Sequence, residues 1–158
     1  MLTSSPALND SARALPSPRL RSLAAALPRL LTLVARLLLG LTFSVCGLNG
    51  FLNFLPAPSD AMPAAAVAFG GALFSTGYMM PLIAGTELIT GLLLLSNCFV
   101  PLALILLAPV VVNIVLFHAF LTPTDVSIAC VVLVLELGLA VAHRQAYAAL
   151  FVARARAR

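Results

Sequence analysis

The chain has 158 residues, of which 62% are apolar and 9% charged. A soluble domain carries about 25% charged residues, and folding a chain of about 150 residues still leaves about 30% of its surface in water. A soluble enzyme, a disordered tail and a nucleic-acid module are therefore excluded. All nine basic residues are Arg and none falls within 37–143, whereas a nucleic-acid binder spreads basic side chains over a folded face.

In chain order, residues 1–22 are rich in Ser, Pro and Arg and read as a mobile basic tail. Residues 23–151 read as a membrane domain, and 152–158 as a second Arg-rich tail. A cleaved signal peptide fits poorly, because the apolar run after Arg36 continues to Pro56 and no A-x-A-like site follows. A lipoprotein site at Cys46 has Val45 where a small residue is needed.

The stretches 37–59, 61–86 and 88–124 carry no charge, and a span needs about 20 residues. The longest is divided at Ser96-Asn97-Cys98-Phe99-Val100-Pro101. This predicts helices over 33–55, 72–96, 100–121 and 125–146, an all-α integral membrane four-helix bundle. Basic ends face the cytoplasm, so both termini on that side require an even number of spans. The links 56–71 and 122–124 then lie outside, and 97–99 inside. Pro56 to Asp60 reads as extended and as a helix start, and Ala61 to Gly71 as a short helix along the outer interface. No internal repeat stands out, which speaks against an inverted-repeat transporter.

Polar groups in hydrocarbon should turn inward. At 100° per residue, Thr42, Cys46, Asn49 and Asn53 form one stripe of the first helix, beside Arg36, Gly40, Gly47 and Gly50. Leu41, Val45, Leu48 and Leu52 take the lipid side. Glu87 lies on a face with Gly77, Met80, Ala84, Thr90 and Gly91, and Glu136 on one with Ala129, Ala140, His143 and Tyr147. Both acids fall about 10–14 Å from the inner edge, and Arg36 about 5 Å from it. One Arg with two acids would leave a surplus acid, which suits a proton-exchanging or hydrogen-bonding site; the structural alternative is a single Arg36–Glu pair with the second Glu capping a neighbouring helix. Asn49, Asn53 and Asn113 serve either as hydrogen-bonded glue between helices or as a polar pocket. His118 near the outer edge and His143 at the inner edge are about 25 Å apart in depth, too far for bis-His haem ligation. Tyr147 and Phe151 sit where an inner aromatic belt collects. Cys46, Cys98 and Cys130 fit no zinc or disulfide framework, and no metal site is expected.

Several short motifs occur in order. Arg36-Leu-Leu-Leu-Gly40, Gly47-Leu-Asn-Gly-Phe51 and Phe54-Leu-Pro56 resemble the opening helix of DoxX-like membrane proteins. Gly77-Tyr-Met-Met-Pro81, Gly85-Thr-Glu87 and Gly91 to Leu95 resemble their second helix, and Phe99 to Ala103, Pro109 to Asn113 and Phe117-His118 their third. The resemblance spans about 33–151 and implies a bacterial inner-membrane four-helix bundle. Its matched polar positions are Arg36, Asn49, Glu87, Asn113 and His118; Glu136 lies where the match is weak. The family takes its name from a small subunit of a thiosulfate:quinone oxidoreductase, which implies redox partners and a quinone, with no covalent cofactor. The expectation is a non-catalytic subunit or scaffold whose interior holds a quinone head group through Glu87, Asn113 and Asn49. The alternative is a homo-oligomeric proton-coupled transporter acting through Glu87 and Glu136.

Overall fold

The computed structural model describes residues 18–56 and 62–151, all in helices or short connections, with no strand among them. The helices are α1 (Pro18–Leu52), α2 (Ala64–Ser75), α3 (Met79–Ser96), α4 (Val100–Phe120) and α5 (Val126–Ala142), with 3₁₀ segments at Pro123–Asp125 and Arg144–Phe151. The chain forms two compact units, Met1–Leu31 and Thr32–Arg158. Within the first, residues 18–31 are helical. All packing described below lies in the second. Of the expected tail, residues 1–17 fall outside the described residues, while 18–22 open α1.

Four segments are long and apolar enough to cross a membrane: Ala26–Leu52, Met79–Ser96, Val100–Phe120 and Pro123–Ala142. Only 17 to 28% of each is buried within the chain. Most of the rest is an apolar surface of Leu, Val, Ile and Phe, which water would not tolerate and a bilayer requires. This is a multi-pass membrane protein.

The core is built around α4. Val100, Ala103, Leu104, Leu107 and Val111 recur at three- and four-residue spacing and are buried against Leu39 and Phe43 of α1, Leu94 of α3 and Leu139 of α5. On α1, the face turned to α3 is the glycine face. A Cβ on Gly47 would stand 2.4 Å from the Leu88 nitrogen and 2.6 Å from the Ala84 oxygen; one on Gly91 would stand 2.5 Å from the Ser44 nitrogen. The two backbones are therefore in direct contact, as small residues allow in lipid, where dispersion replaces the hydrophobic effect between helices. Thr42 and Cys46, expected to turn inward, are exposed at the flank of this contact.

Expected and observed boundaries differ where a side chain or a left-handed residue stops a helix. α1 ends at Leu52 because Asn53 takes φ 49°. The expected second span, 72–96, is two helices: Gly77 at φ 74° closes α2, and Thr76 serves both sides of the break. Its hydroxyl donates to the Leu73 carbonyl at 2.7 Å and accepts from the Met79 N–H at 3.0 Å. The short helix expected over 61–71 is α2, displaced toward the C-terminus. At the α3–α4 link, Asn97 at φ 57° turns the chain, with the Cys98 N–H on the Leu93 carbonyl at 3.1 Å. The fourth span stops at Ala142 and continues as 3₁₀ turns to Phe151.

Gly47→Ala is expected to lower stability by about 1–3 kcal/mol, since its Cβ meets backbone that cannot yield. Gly138→Ala, which meets nothing within 4 Å, is expected to leave stability unchanged or to raise it. Thermal unfolding of the detergent-solubilised variants measures both.

Candidate functional site

Arg36 stands on α1 beside the last turn of α3. Its Nη1 donates to the Leu94 carbonyl and, at 3.2 Å, to the Leu95 carbonyl. The last four carbonyls of a helix have no partner of their own and carry its negative dipole end, so a guanidinium is well matched to them. α3 has 18 residues, about 27 Å, slightly less than the hydrocarbon thickness. Its terminal carbonyls thus fall close to the apolar region, where donors from another helix matter most. Among the described residues Arg36 forms no ion pair with Glu87 or Glu136. The expected ionic cluster is not assembled, because helix-end carbonyls take the cation instead.

Asn49 also closes a helix. Its Oδ1 accepts the Leu55 N–H at 2.7 Å, and the Asn53 N–H reaches the Asn49 carbonyl at 2.8 Å. The amide holds the chain leaving α1; among the described residues it bridges no second helix. His118 and the buried Thr122 share a hydrogen bond of 2.9 Å, and the His118 ring meets Phe117 edge-on. His143 Nδ1 donates to the Leu139 carbonyl at 2.9 Å. Both histidines thus tie down the exits of their own helices.

Glu87 is half-buried on α3 and lies near Cys46 of α1. Asn113 is exposed and lines a groove of about 230 Å³ formed by α2, α3 and α4 with Phe69, Met79 and Pro109. Of the three residues expected to share one head-group pocket, Asn113 lines this groove, Glu87 lies by Cys46 and Asn49 closes α1.

Glu136 is the exception among the polar candidates. It is 5% exposed, and its Oε1 is buried without a hydrogen-bond partner. It lines a groove of about 320 Å³ between α4 and α5, with Leu104, Ile105, Val112, Leu137 and Tyr147. The Tyr147 hydroxyl is likewise buried and unpartnered. Burial, reinforced by the Glu136 charge, pushes the Tyr147 phenol above its ordinary range, so it remains an O–H donor at neutral pH. Sequence reasoning put Glu136 and Tyr147 on one face, but took the tyrosine for an interfacial aromatic. Helical spacing is only a partial signal here, because α5 ends at Ala142 and a 3₁₀ segment carries Tyr147 to the groove. Among the described residues no group of three or more His, Cys, Asp or Glu could hold a metal ion.

Comparison with protein-family models, with curated proteins and with solved structures finds no match.

Replacing Arg36 by Leu is expected to destabilise the protein by about 1–3 kcal/mol, and Arg36→Lys by less. A double-mutant cycle between Arg36→Leu and Glu136→Gln is expected to return a coupling below about 0.5 kcal/mol. A large coupling would restore the ionic cluster.

Proposed function

We propose that this chain is a DoxX-like protein of the bacterial inner membrane, with both ends in the cytoplasm. In this reading it is a non-catalytic subunit or scaffold in quinone-linked redox metabolism. The observation that carries the scaffold role is the apolar centre of the bundle. Leu39, Phe43, Leu94, Leu107, Val111 and Leu139 are packed together where a proton path would have to run. The two intramembrane acids lie on different sides, Glu87 toward Cys46 of α1 and Glu136 toward the α4–α5 groove. A transporter relaying protons between them would need a polar connection, and the arrangement favours the subunit reading over that one.

The broad apolar outer surface suits both lipid and the helices of a partner subunit. The placement of the ends is supported by the Arg residues at both termini, with Arg144 at the end of α5 and Arg154, Arg156 and Arg158 following it. The redox link rests on the motifs that run from Arg36 to His118.

Two measurements test this. Extraction of the protein from its native membrane, followed by native mass spectrometry, is expected to recover a redox subunit and quinone with it. Reconstituted alone in liposomes, the protein is expected to show no pH-driven flux. A protein recovered alone, free of quinone, whose proton flux disappears in Glu87→Gln and Glu136→Gln, would reverse the assignment. For sidedness, Cys98 is exposed in the α3–α4 link. A membrane-impermeant maleimide is expected to label it in inside-out vesicles and to leave it unmodified in intact spheroplasts.

A further inference from the structure

The groove between α4 and α5 contains two polar atoms that no described residue satisfies. Glu136 Oε1 and the Tyr147 hydroxyl are both buried, both lack a partner, and are not bonded to each other. Seven of the nine lining residues are apolar. Among the described residues no cation lines the groove, and Arg36 is held at the α3 carbonyls. An acceptor and a donor stranded in an apolar pocket are destabilising unless something supplies the matching groups. Ile105, Val112 and Leu137 at its walls are exposed, so the groove opens to the lipid phase.

We propose that this groove is a binding site for a neutral, hydroxyl-bearing amphiphile drawn from the bilayer. Its apolar body lies between α4 and α5. Its hydroxyl sits between the two stranded atoms, donating to Glu136 Oε1 and accepting from the Tyr147 O–H. One hydroxyl has one donor and two acceptor positions, and this geometry uses both functions. An anionic head group would face the Glu136 carboxyl with no cation in the lining to offset it. An ether or hydrocarbon would leave Glu136 Oε1 as unsatisfied as before. The inference does not depend on the redox reading: it follows from the groove and its two polar atoms alone.

The test uses the full chain in liposomes of neutral phospholipid and three photoactivatable diazirine probes of equal chain length: hexadecanol, its methyl ether and its phosphate monoester. Cross-links are mapped by mass spectrometry. Hexadecanol is expected to label the α4–α5 groove about tenfold more than either of the other two, the factor that loss of a hydrogen bond to a charged or buried group gives. Tyr147→Phe is expected to lower labelling by hexadecanol several-fold, and Glu136→Leu to bring it to the level of the ether. Glu136→Gln, which keeps an acceptor oxygen, is expected to retain most of it. Thermal unfolding checks that each variant is folded. If Glu136→Leu does not fold, the alcohol-to-ether ratio in the unmodified protein and in Tyr147→Phe decides the question. Equal labelling by alcohol and ether would mean ordinary lipid, or a bridging water, in the groove and would overturn the proposal. So would labelling unchanged in Tyr147→Phe and Glu136→Leu, which is the result expected if the two side chains simply bond to each other.

Discussion

Hydrocarbon offers no hydrogen bonds, so each backbone N–H and C=O that enters it needs a partner within the chain. Helices meet this requirement everywhere except at their ends, where four groups on each side remain open. Much of the polar chemistry of this protein is placed at those ends. Arg36 serves the carbonyls of α3, Asn49 the chain leaving α1, and Thr76 both sides of the α2–α3 break. Asn97 and Gly77 provide the left-handed turns that let the chain reverse or change direction. Residues that look like site chemistry in the sequence are, in this fold, largely the means by which short helices begin and stop.

The same constraint explains the packing. Between helices in lipid there is no gain from removing apolar surface from water, so close contact has to come from dispersion. The α1–α3 interface achieves it with Gly40, Gly47, Gly50 and Gly91, whose missing side chains bring the two backbones together. That close approach in turn brings Arg36 to the carbonyls of Leu94 and Leu95. Glycine packing and the cation at the helix end are thus two parts of one contact. α4 fills the remaining space, with one face against α3 and another against α5.

Set against this background, Glu136 and Tyr147 stand apart. Arg36, Asn49, His118 and His143 have tasks at helix ends, Asn113 is exposed, and Glu87 is half-buried near Cys46. Among the described residues, the buried side-chain atoms without a partner are Ser44 Oγ on α1, Glu136 Oε1 and the Tyr147 hydroxyl, and the last two share a groove that opens sideways to the bilayer. Buried and unsatisfied polar atoms are rare in folded proteins. An apolar pocket of ligand dimensions with a few polar groups is the ordinary form of a small-molecule site.

The sequence by itself determined that the described residues are helical, that four segments are long and apolar enough to cross a membrane, and, to within a residue, where the third of these begins and ends. Those features follow from local quantities: charge-free length, Pro and Asn at breaks, and 3.6-residue periodicity. It also put Glu136 and Tyr147 on one helical face. It left undecided which neighbour each polar residue would meet. Arg36 and the two acids lie at compatible depths, and depth along a helix can be counted from the rise per residue. Rotation of one helix against another cannot, because it depends on which small residues make contact. Only the tertiary structure decided that Arg36 takes helix-end carbonyls, that Asn49 closes α1 through the Leu55 N–H, and that Glu136 and Tyr147 line a groove between α4 and α5. The physical reason is that the glycine contact between α1 and α3 sets the rotation of α1, and that rotation sets the partner of Arg36.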